Sequence, residues 1–528
     1  MSGTSGFPEA GTDGVDETLT VARNVSTRYL AIAVEAVLGL VVLPFNIAHL
    51  GDSAYGLWML TASVTSYFSV LDLGYGSALV KLVAQYRARR DVRALNEIVS
   101  TTFLVFATFG VVTYLVAIAA AVYIGQLFQL TPEQIHTGRI VMLIVSLSVA
   151  IGTAVSVFGA VNNGFQRFDL NNRVGMATSV LTAVVNVAVL KAGYGLIELV
   201  TATTAVRLLS YVVYRANAYR VFPAMQIRLR WYRRERLREV TSLSVYMLLI
   251  DWANKLNYSI DALVIGAFLN TSAVAVWTVG QRLAEVTQRL TNQLNEVLFP
   301  AVVDNDTADR MPRLQAILIQ GTRLSLATVV PMGGAMMLMA RPLVRAWVGP
   351  GFDGSVAVVQ LLSLAVIVRI GTATASTLLK GAGEHRLVAF ANVAAALVNV
   401  AVSIAIVKPF GLVGVAIGTL VPVCIASSVI IFPAGCRRVQ LTLGRGLAEA
   451  VWPAVWPAAA MAAFVYLTRG LVPVSLVAVG AEMAAACLVY AAVFVAFGIT
   501  REERRFYLTK SFDLLQRTPL RVRLSEGA

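Results

Sequence analysis

The sequence predicts an all-α integral membrane fold with about fourteen spans and both termini in the cytoplasm. Three observations predict it. Hydrophobic residues fill 57% of the 528 positions and charged residues only 14%, with a mean hydropathy of +0.73, whereas soluble domains carry about 25% charge. Apolar runs such as 141–161 and 387–407 match the roughly 20 residues that cross a hydrocarbon core at about 1.5 Å each. Basic residues gather in every second connection between these runs. Helix is then the spanning structure, because lipid offers backbone polar groups no external partner.

In chain order, residues 1–28 read as a cytoplasmic tail. The first twenty are acidic and rich in Gly and Thr, without the basic and apolar regions of a signal peptide, and their composition predicts disorder. Spans at 29–48, 54–80, 98–122, 138–160, 173–192 and 195–214 form an N-lobe, 29–214. A basic cytoplasmic linker, 215–241, separates it from a C-lobe, 242–433, with spans at 242–268, 273–300, 318–340, 355–380, 387–407 and 411–433. Two further spans, 449–468 and 472–498, fill the segment 449–498, and a basic cytoplasmic tail, 499–528, ends the chain.

The orientation follows from the connections. Lys81 with Arg87, Arg89, Arg90 and Arg93, then Arg167 with Arg173, Arg310 with Arg313, Lys380 with Arg386, Arg437 with Arg438, and the C-terminal tail all fall on one side. The intervening connections, near Gly51, Glu133, Gly193, Asn270, Pro350, Pro409 and Arg469, are short and poor in charge, so the basic side is cytoplasmic. The net charge of +14 is therefore a topology signal, and no nucleic-acid partner is expected. The linker is basic on the same side, and its Arg215, Arg220, Arg228, Arg230, Arg233, Arg234, Arg236 and Arg238 read either as including an amphipathic helix on anionic headgroups or as a solvated loop.

An internal repeat organises the lobes. Leu50, Ser53, Ala54 and Trp58 recur as Leu269, Ser272, Ala273 and Trp277; Val-Asn-Val at 185–187 recurs at 398–400; and Gly-Tyr-Gly-Leu at 193–196 resembles Pro-Phe-Gly-Leu at 409–412. A common offset of about 215 residues argues for duplication. Even-numbered repeats enter the membrane in the same sense, which predicts two parallel lobes about an axis along the membrane normal. The spans at 449–498 have no counterpart.

Charges at bilayer depth cost about 2.5–3.5 kcal/mol on insertion scales and usually face protein or a wet cavity. The eighth span carries Arg282, Glu285, Arg289, Asn292 and Glu296 at helical spacing on one face, and the seventh carries Asp251, Lys255, Tyr258 and Asp261 on another, with Asn254 beside them. Two adjacent amphipathic spans predict a water-filled wall. Arg282, Arg289 and Lys255 suit a pyrophosphate; alternatively, Glu285 simply pairs with Arg282 or Arg289. Arg369 is a further mid-span cavity candidate. Glu35 falls opposite Asn254 across the repeat, and Asp72 precedes a break at Gly74.

The three cysteines and three histidines stand at no metal-ligand spacing, and no phosphate-binding glycine loop is present. No metal, cofactor or ATP site is expected, and energy has to come from an H+ or Na+ gradient, the membrane potential or the substrate.

Tyr-Gly-Leu-Trp at 55–58, Leu-Asp-Leu-Gly-Tyr-Gly-Ser-Ala-Leu-Val at 71–80 and the basic Gln-Tyr-Arg-Ala-Arg-Arg-Asp at 85–91 resemble the N-terminal signature of polysaccharide-biosynthesis (O-antigen/repeat-unit, Wzx-type) flippases. These belong to the multidrug/oligosaccharidyl-lipid/polysaccharide exporter superfamily, and the resemblance covers about residues 25–435. It implies a MATE-like V of two six-helix lobes working by alternating access in the bacterial plasma (inner) membrane. It also implies an undecaprenyl-pyrophosphate-linked oligosaccharide as substrate, and membrane lipids and a polymerase or export machinery as partners. By position, Arg282, Arg289, Lys255, Asn254, Tyr258, Asn292 and Arg369 would bind substrate, and Asp251, Asp261, Glu285, Glu296, Asp72 and Glu35 would couple an ion. The first span lacks the arginine-rich start of the lipid II flippase branch. An ion-coupled drug or cation antiporter of the same superfamily predicts a net acidic cavity, and a membrane glycosyltransferase or polymerase predicts an extended outer loop; the sequence shows neither.

Overall fold

A computed structural model describes residues 14–68, 75–241, 260–291, 293–470 and 473–499. Helix accounts for 89% of the structure, and the described residues contain no strand. Ten helices among them are long and apolar enough to cross a membrane, against the about fourteen spans that the apolar runs predict; α1 and α13 each cover more than one of those runs. The protein is a multi-pass membrane protein.

The first unit comprises Met1–Val279 and Asn392–Gly418. It opens with α1 (Gly14–Phe68), a continuous helical path that turns at Gly51, whose φ of 77° only glycine adopts without strain. The helix starts well inside the segment that composition marks as tail. Its early turns are tied down: Asn24 donates to the Gln166 carbonyl at 3.1 Å and accepts from the Asp169 backbone at 3.1 Å. These bonds supply the order that a polar sequence lacks in isolation. Next come α2 (Tyr75–Ala88), α3 (Val92–Leu127), α4 (Pro132–Gly164), α5 (Phe168–Lys191) and α6 (Leu196–Val221).

The helix starts have local causes. The Asp91 side chain caps α3 by accepting from Ala94 N–H. Thr131 and Gln134 form a capping box at α4, with Pro132 in the first turn. Glu198, in the first turn of the sixth span, accepts from Gly195 N–H at 3.1 Å and caps α6. The core on the basic side packs Leu79, Leu82, Leu95, Ile98, Phe106 and Phe222, all nearly fully buried.

The linker is neither a free loop nor a helix laid on headgroups along its whole length. Its first residues, up to Val221, continue α6, beyond them only Leu229–Trp231 and residues 234–241 are helical, and the chain before Leu229 is fastened to α3. Asn96 donates to the Ala224 carbonyl at 3.1 Å and accepts from Gln226 N–H at 2.7 Å, and Ser100 Oγ donates to the Gln226 carbonyl at 3.0 Å. Buried polar side chains on α3 thus take up backbone groups of the linker that no regular structure would satisfy.

The remaining elements are α7 (residues 260–268), α8 (Thr271–Thr291), α9 (Gln293–Thr307), α10 (Met311–Leu338), α11 (Ala340–Val348), α12 (Ser355–Gly381), α13 (His385–Arg438), α14 (Leu443–Thr468) and α15 (Leu476–Gly498). Like α1, α13 turns at a left-handed glycine, Gly411 (φ 56°). The second unit comprises Gly280–Ala391 and Thr419–Ala528. In it, Arg438 bonds Asp306 at 2.6 Å and lies 3.6 Å from Glu384, and the Arg323 guanidinium donates to the Glu449 carbonyl at 2.7 Å.

Candidate functional site

α8 and α9 are not among the ten apolar helices: α9 has only 15 residues, and α8 carries Arg282, Glu285 and Arg289 within 21. On α8, Val274, Trp277, Leu283 and Ala284 are buried while Arg282 and Glu285 remain partly accessible, the amphipathic division that the spacing predicts. Arg282 and Glu285 pair at 3.2 Å, and Gln281 donates to the same carboxylate at 3.0 Å. The structure therefore joins one predicted cation to one predicted anion, and the guanidinium keeps an accessible face.

The other predicted residues distribute as follows. Asp261, on α7, is 4% exposed and within electrostatic reach of Tyr67 near the end of α1. Glu35 is exposed on α1 and within electrostatic reach of Tyr214 on α6. Arg369 is half-buried on α12. Asp72, Asp251, Asn254, Lys255, Tyr258 and Asn292 lie outside the described residues, as do the side chains of Arg289 and Glu296.

Sequence reasoning missed three polar constellations. The first joins the repeat-related segments near 50–58 and 269–277. Gln134 Nε2 donates to Ser53 Oγ at 2.7 Å and to Thr271 Oγ1 at 3.1 Å, while its Oε1 accepts from Thr131 N–H at 3.0 Å. One amide thus caps α4 and bridges α1 to α8. At Gly56 the helices touch backbone to backbone: a Cβ there would lie 1.8 Å from the Thr271 carbonyl oxygen. The repeat pattern marked Ser53 as special, but only the fold reveals that its segment meets its own counterpart.

A second constellation is on the basic side. Glu97, 6% exposed, receives Arg93 at 3.1 Å, Arg236 at 3.3 Å and Arg233 at 3.8 Å. Arg236 also bonds Tyr86, whose hydroxyl donates to Glu239 at 2.6 Å. Burial, then the bond to Glu239, pushes the Tyr86 phenol up to about 12. The signal in the sequence is one acidic residue four positions after Arg93 in an otherwise apolar helix.

The third is a cleft of about 850 Å³ in the second unit, between α11 and the helices α14 and α15. Arg341, Arg345 and Arg469 line it. Arg345 bonds Asp353 at 2.8 Å; this bond holds the Asp353 carboxyl below its ordinary range. Buried Glu482 accepts from Thr468 at 2.6 Å and ties α15 to α14.

Comparison with known proteins places these features in a family. The polysaccharide biosynthesis protein family matches residues 50–357, which include the Ser53–Gln134–Thr271 bridge and the charged face of α8. A curated relative, "Probable flippase AglR" of Haloferax volcanii, is 21% identical over 415 residues, 77% of this chain and 82% of its own. Among solved structures, the lipid II flippase MurJ in an inward closed conformation superposes with a TM-score of 0.70 at 13% identity, over 89% of this chain and 98% of that one. An inward-facing multidrug resistance transporter of the MATE family, in the MOP superfamily, gives 0.63 at 18% identity, over 77% and 94%. At such identities the likeness is one of fold, and it agrees with the fold class the sequence predicts. The chain belongs to the polysaccharide biosynthesis protein family.

Proposed function

We propose that this protein is a flippase, a transporter rather than an enzyme, that moves an oligosaccharide linked to undecaprenyl pyrophosphate from the cytoplasmic to the outer leaflet for exopolysaccharide, O-antigen or capsule assembly. The observation that carries this reading is the match of 77% of the chain to a relative named as a flippase, together with membership of a polysaccharide biosynthesis family. The charged face of α8 supports it. An anionic pyrophosphate needs a cation in a wet, half-buried setting, and the accessible Arg282 guanidinium offers one.

In this reading Arg282, Arg289, Lys255, Asn254, Tyr258, Asn292 and Arg369 serve the head group. Asp251, Asp261, Glu285, Glu296, Asp72 and Glu35 serve an ion, H+ or Na+. The Arg282–Glu285 pair supplies a link between the two roles: a phosphate that takes Arg282 frees Glu285 for the ion. The contact of 50–58 with 269–277 acts as a gate on the charge-poor side. Its hydroxyl and amide bonds, each worth about 1 kcal/mol net, break at a cost a transport cycle can meet.

The test is transport by the purified protein in liposomes. Lipid-linked oligosaccharide loaded in one leaflet becomes accessible to a membrane-impermeant sugar oxidant at the other, and Arg289→Gln slows this while leaving insertion intact. No movement by the wild type would sink the flippase reading, and drug efflux in its place would favour the antiporter. Unchanged movement by Arg289→Gln would sink the cationic site alone.

A further inference from the structure

A groove of about 660 Å³ runs along the first unit over α3, α4 and α6, apart from every residue assigned to transport. Its floor is made of small residues, Ala107, Gly110, Ala150 and Ala154. The two helices approach so closely there that a Cβ on Gly110 would lie 2.4 Å from the Ala150 carbonyl oxygen. Its walls toward the membrane centre are Val111 and Leu115, 61% and 60% exposed, so the groove opens sideways to lipid. At the basic end it is bounded by Phe103, Phe158 and Tyr219, and closed by Ile227 of the fastened linker. From Phe103 to Leu115 the helix rises about 18 Å, close to the roughly 15 Å depth of one leaflet's hydrocarbon.

The charge at its mouth is specific. The Arg215 guanidinium lies over the Tyr219 ring, 5.6 Å from its centroid, is exposed, and forms no ion pair with a described residue. Among the described residues no acidic side chain lines the groove, and Arg228 and Arg230 are exposed on the linker immediately after Ile227. An apolar slot one leaflet deep with an exposed guanidinium at headgroup level, facing no described carboxylate, is complementary to a single amphiphile with a negative head.

We propose that this groove binds one anionic phospholipid of the leaflet on the basic side, with an acyl chain between α3 and α6 over α4 and its phosphate at Arg215. The depth of one leaflet fits an ordinary acyl chain, and the linker's Ile227 makes the site dependent on linker docking. The proposal does not rest on the flippase reading, and lipid binding tests it without transport.

The experiment is native mass spectrometry of the purified full-length chain titrated with phosphatidylglycerol or phosphatidylcholine. Phosphatidylglycerol binds first, as a single retained lipid. Arg215→Gln weakens it roughly fivefold, the share of one basic residue near an anionic head. Ala154→Phe fills the floor and removes it, and Arg220→Gln, on the same helix but outside the groove, leaves it unchanged. Equal retention of the two lipids, an equal effect of Arg220→Gln, or displacement of phosphatidylglycerol by substoichiometric polyprenyl phosphate would overturn the assignment. Arg215 is exposed, so its variant remains informative even where Ala154→Phe does not fold.

Discussion

Substituting Gly56 by Ala places a methyl carbon 1.8 Å from the Thr271 carbonyl oxygen, 2.6 Å from its carbonyl carbon and 3.2 Å from the Ala275 nitrogen. All three are backbone atoms and cannot rotate aside. Restoring a normal contact requires α1 and α8 to part by roughly 1.5–2 Å, which stretches the Ser53–Thr271 contact, now 3.4 Å, and the Gln134–Thr271 bond, now 3.1 Å, beyond hydrogen-bonding distance. Overpacking costs about 1–3 kcal/mol and each lost bond about 1 kcal/mol. Together these give a loss of about 3–5 kcal/mol, which shifts a two-state equilibrium roughly 150- to 4,000-fold away from the joined state. With Cys424, Cys436 and Cys487 replaced, Ser53→Cys with Thr271→Cys reports the contact by disulfide formation. Gly56→Ala is expected to suppress that cross-link, raise labelling by an impermeant thiol reagent, and lower transport. Gly39→Ala, where a Cβ meets nothing within 4 Å, is the control and leaves all three unchanged. Undiminished cross-linking in Gly56→Ala would refute the reasoning.

Three other outcomes are expected. Glu97→Gln removes the charge that collects three arginines; because Arg93 and Arg233 are 72% and 45% exposed, most of the loss is the Arg236 pair, about 2–3 kcal/mol, read as a lower thermal midpoint and faster tryptic cleavage within 228–238. The raised Tyr86 phenol means that the folded state holds this proton more tightly than the unfolded one. The linker contact is therefore fully present below about 10 and weakens between about 10 and about 12, and Tyr86→Phe abolishes that alkaline step in amide exchange of the linker. Asp353 has the opposite sign: its lowered carboxyl stabilises the turn after α11 above the ordinary carboxylate range near 4, and this is lost as pH falls through the lower folded value. Amide protection across 341–353 stays constant down to that range, and Asp353→Asn removes the acid transition.

The parts of the fold legible in the sequence are those set by composition and period. Apolar runs predicted helices because lipid leaves the backbone no alternative, and α8 shows the amphipathic division that the spacing of Arg282 and Glu285 announces. Even its salt bridge was one of two readings that an i, i+3 spacing allows. The linker was opaque for a physical reason. A run of arginines states charge, not what receives it, and the receivers are Asn96, Glu97, Ser100 and Thr101, buried polar residues that a hydropathy reading treats as minor interruptions of an apolar helix. The tail was misjudged in the same way, since Asn24 and Asp169 are 145 positions apart. Gly56 is a third case: a glycine in a helix is a weak cost in sequence, and its meaning comes from the backbone opposite. The repeat did carry structural content. Asn186 and Asn399, the centres of its second match, are both buried, 3% and 1% exposed.

The polar contacts at the two sides of the first unit differ in kind. On the charge-poor side Ser53, Gln134 and Thr271 meet through neutral hydrogen bonds around a glycine contact, with no ion pair among these residues. On the basic side a buried carboxylate is locked by arginines from α3 and the linker. Removing the Glu97 charge costs about 2–3 kcal/mol, against about 1 kcal/mol for a neutral hydrogen bond whose groups re-solvate. Under alternating access, the contact that must open every cycle belongs where bonds are neutral and exchangeable with water, and the permanent one where charge is buried. Exchanging the two characters tests this directly. Ser53→Asp with Thr271→Arg installs an ion pair in the seam, and the expected result is a protein that folds, cross-links efficiently in the paired-cysteine assay at adjacent positions, and no longer transports; retained transport would show that the seam does not open.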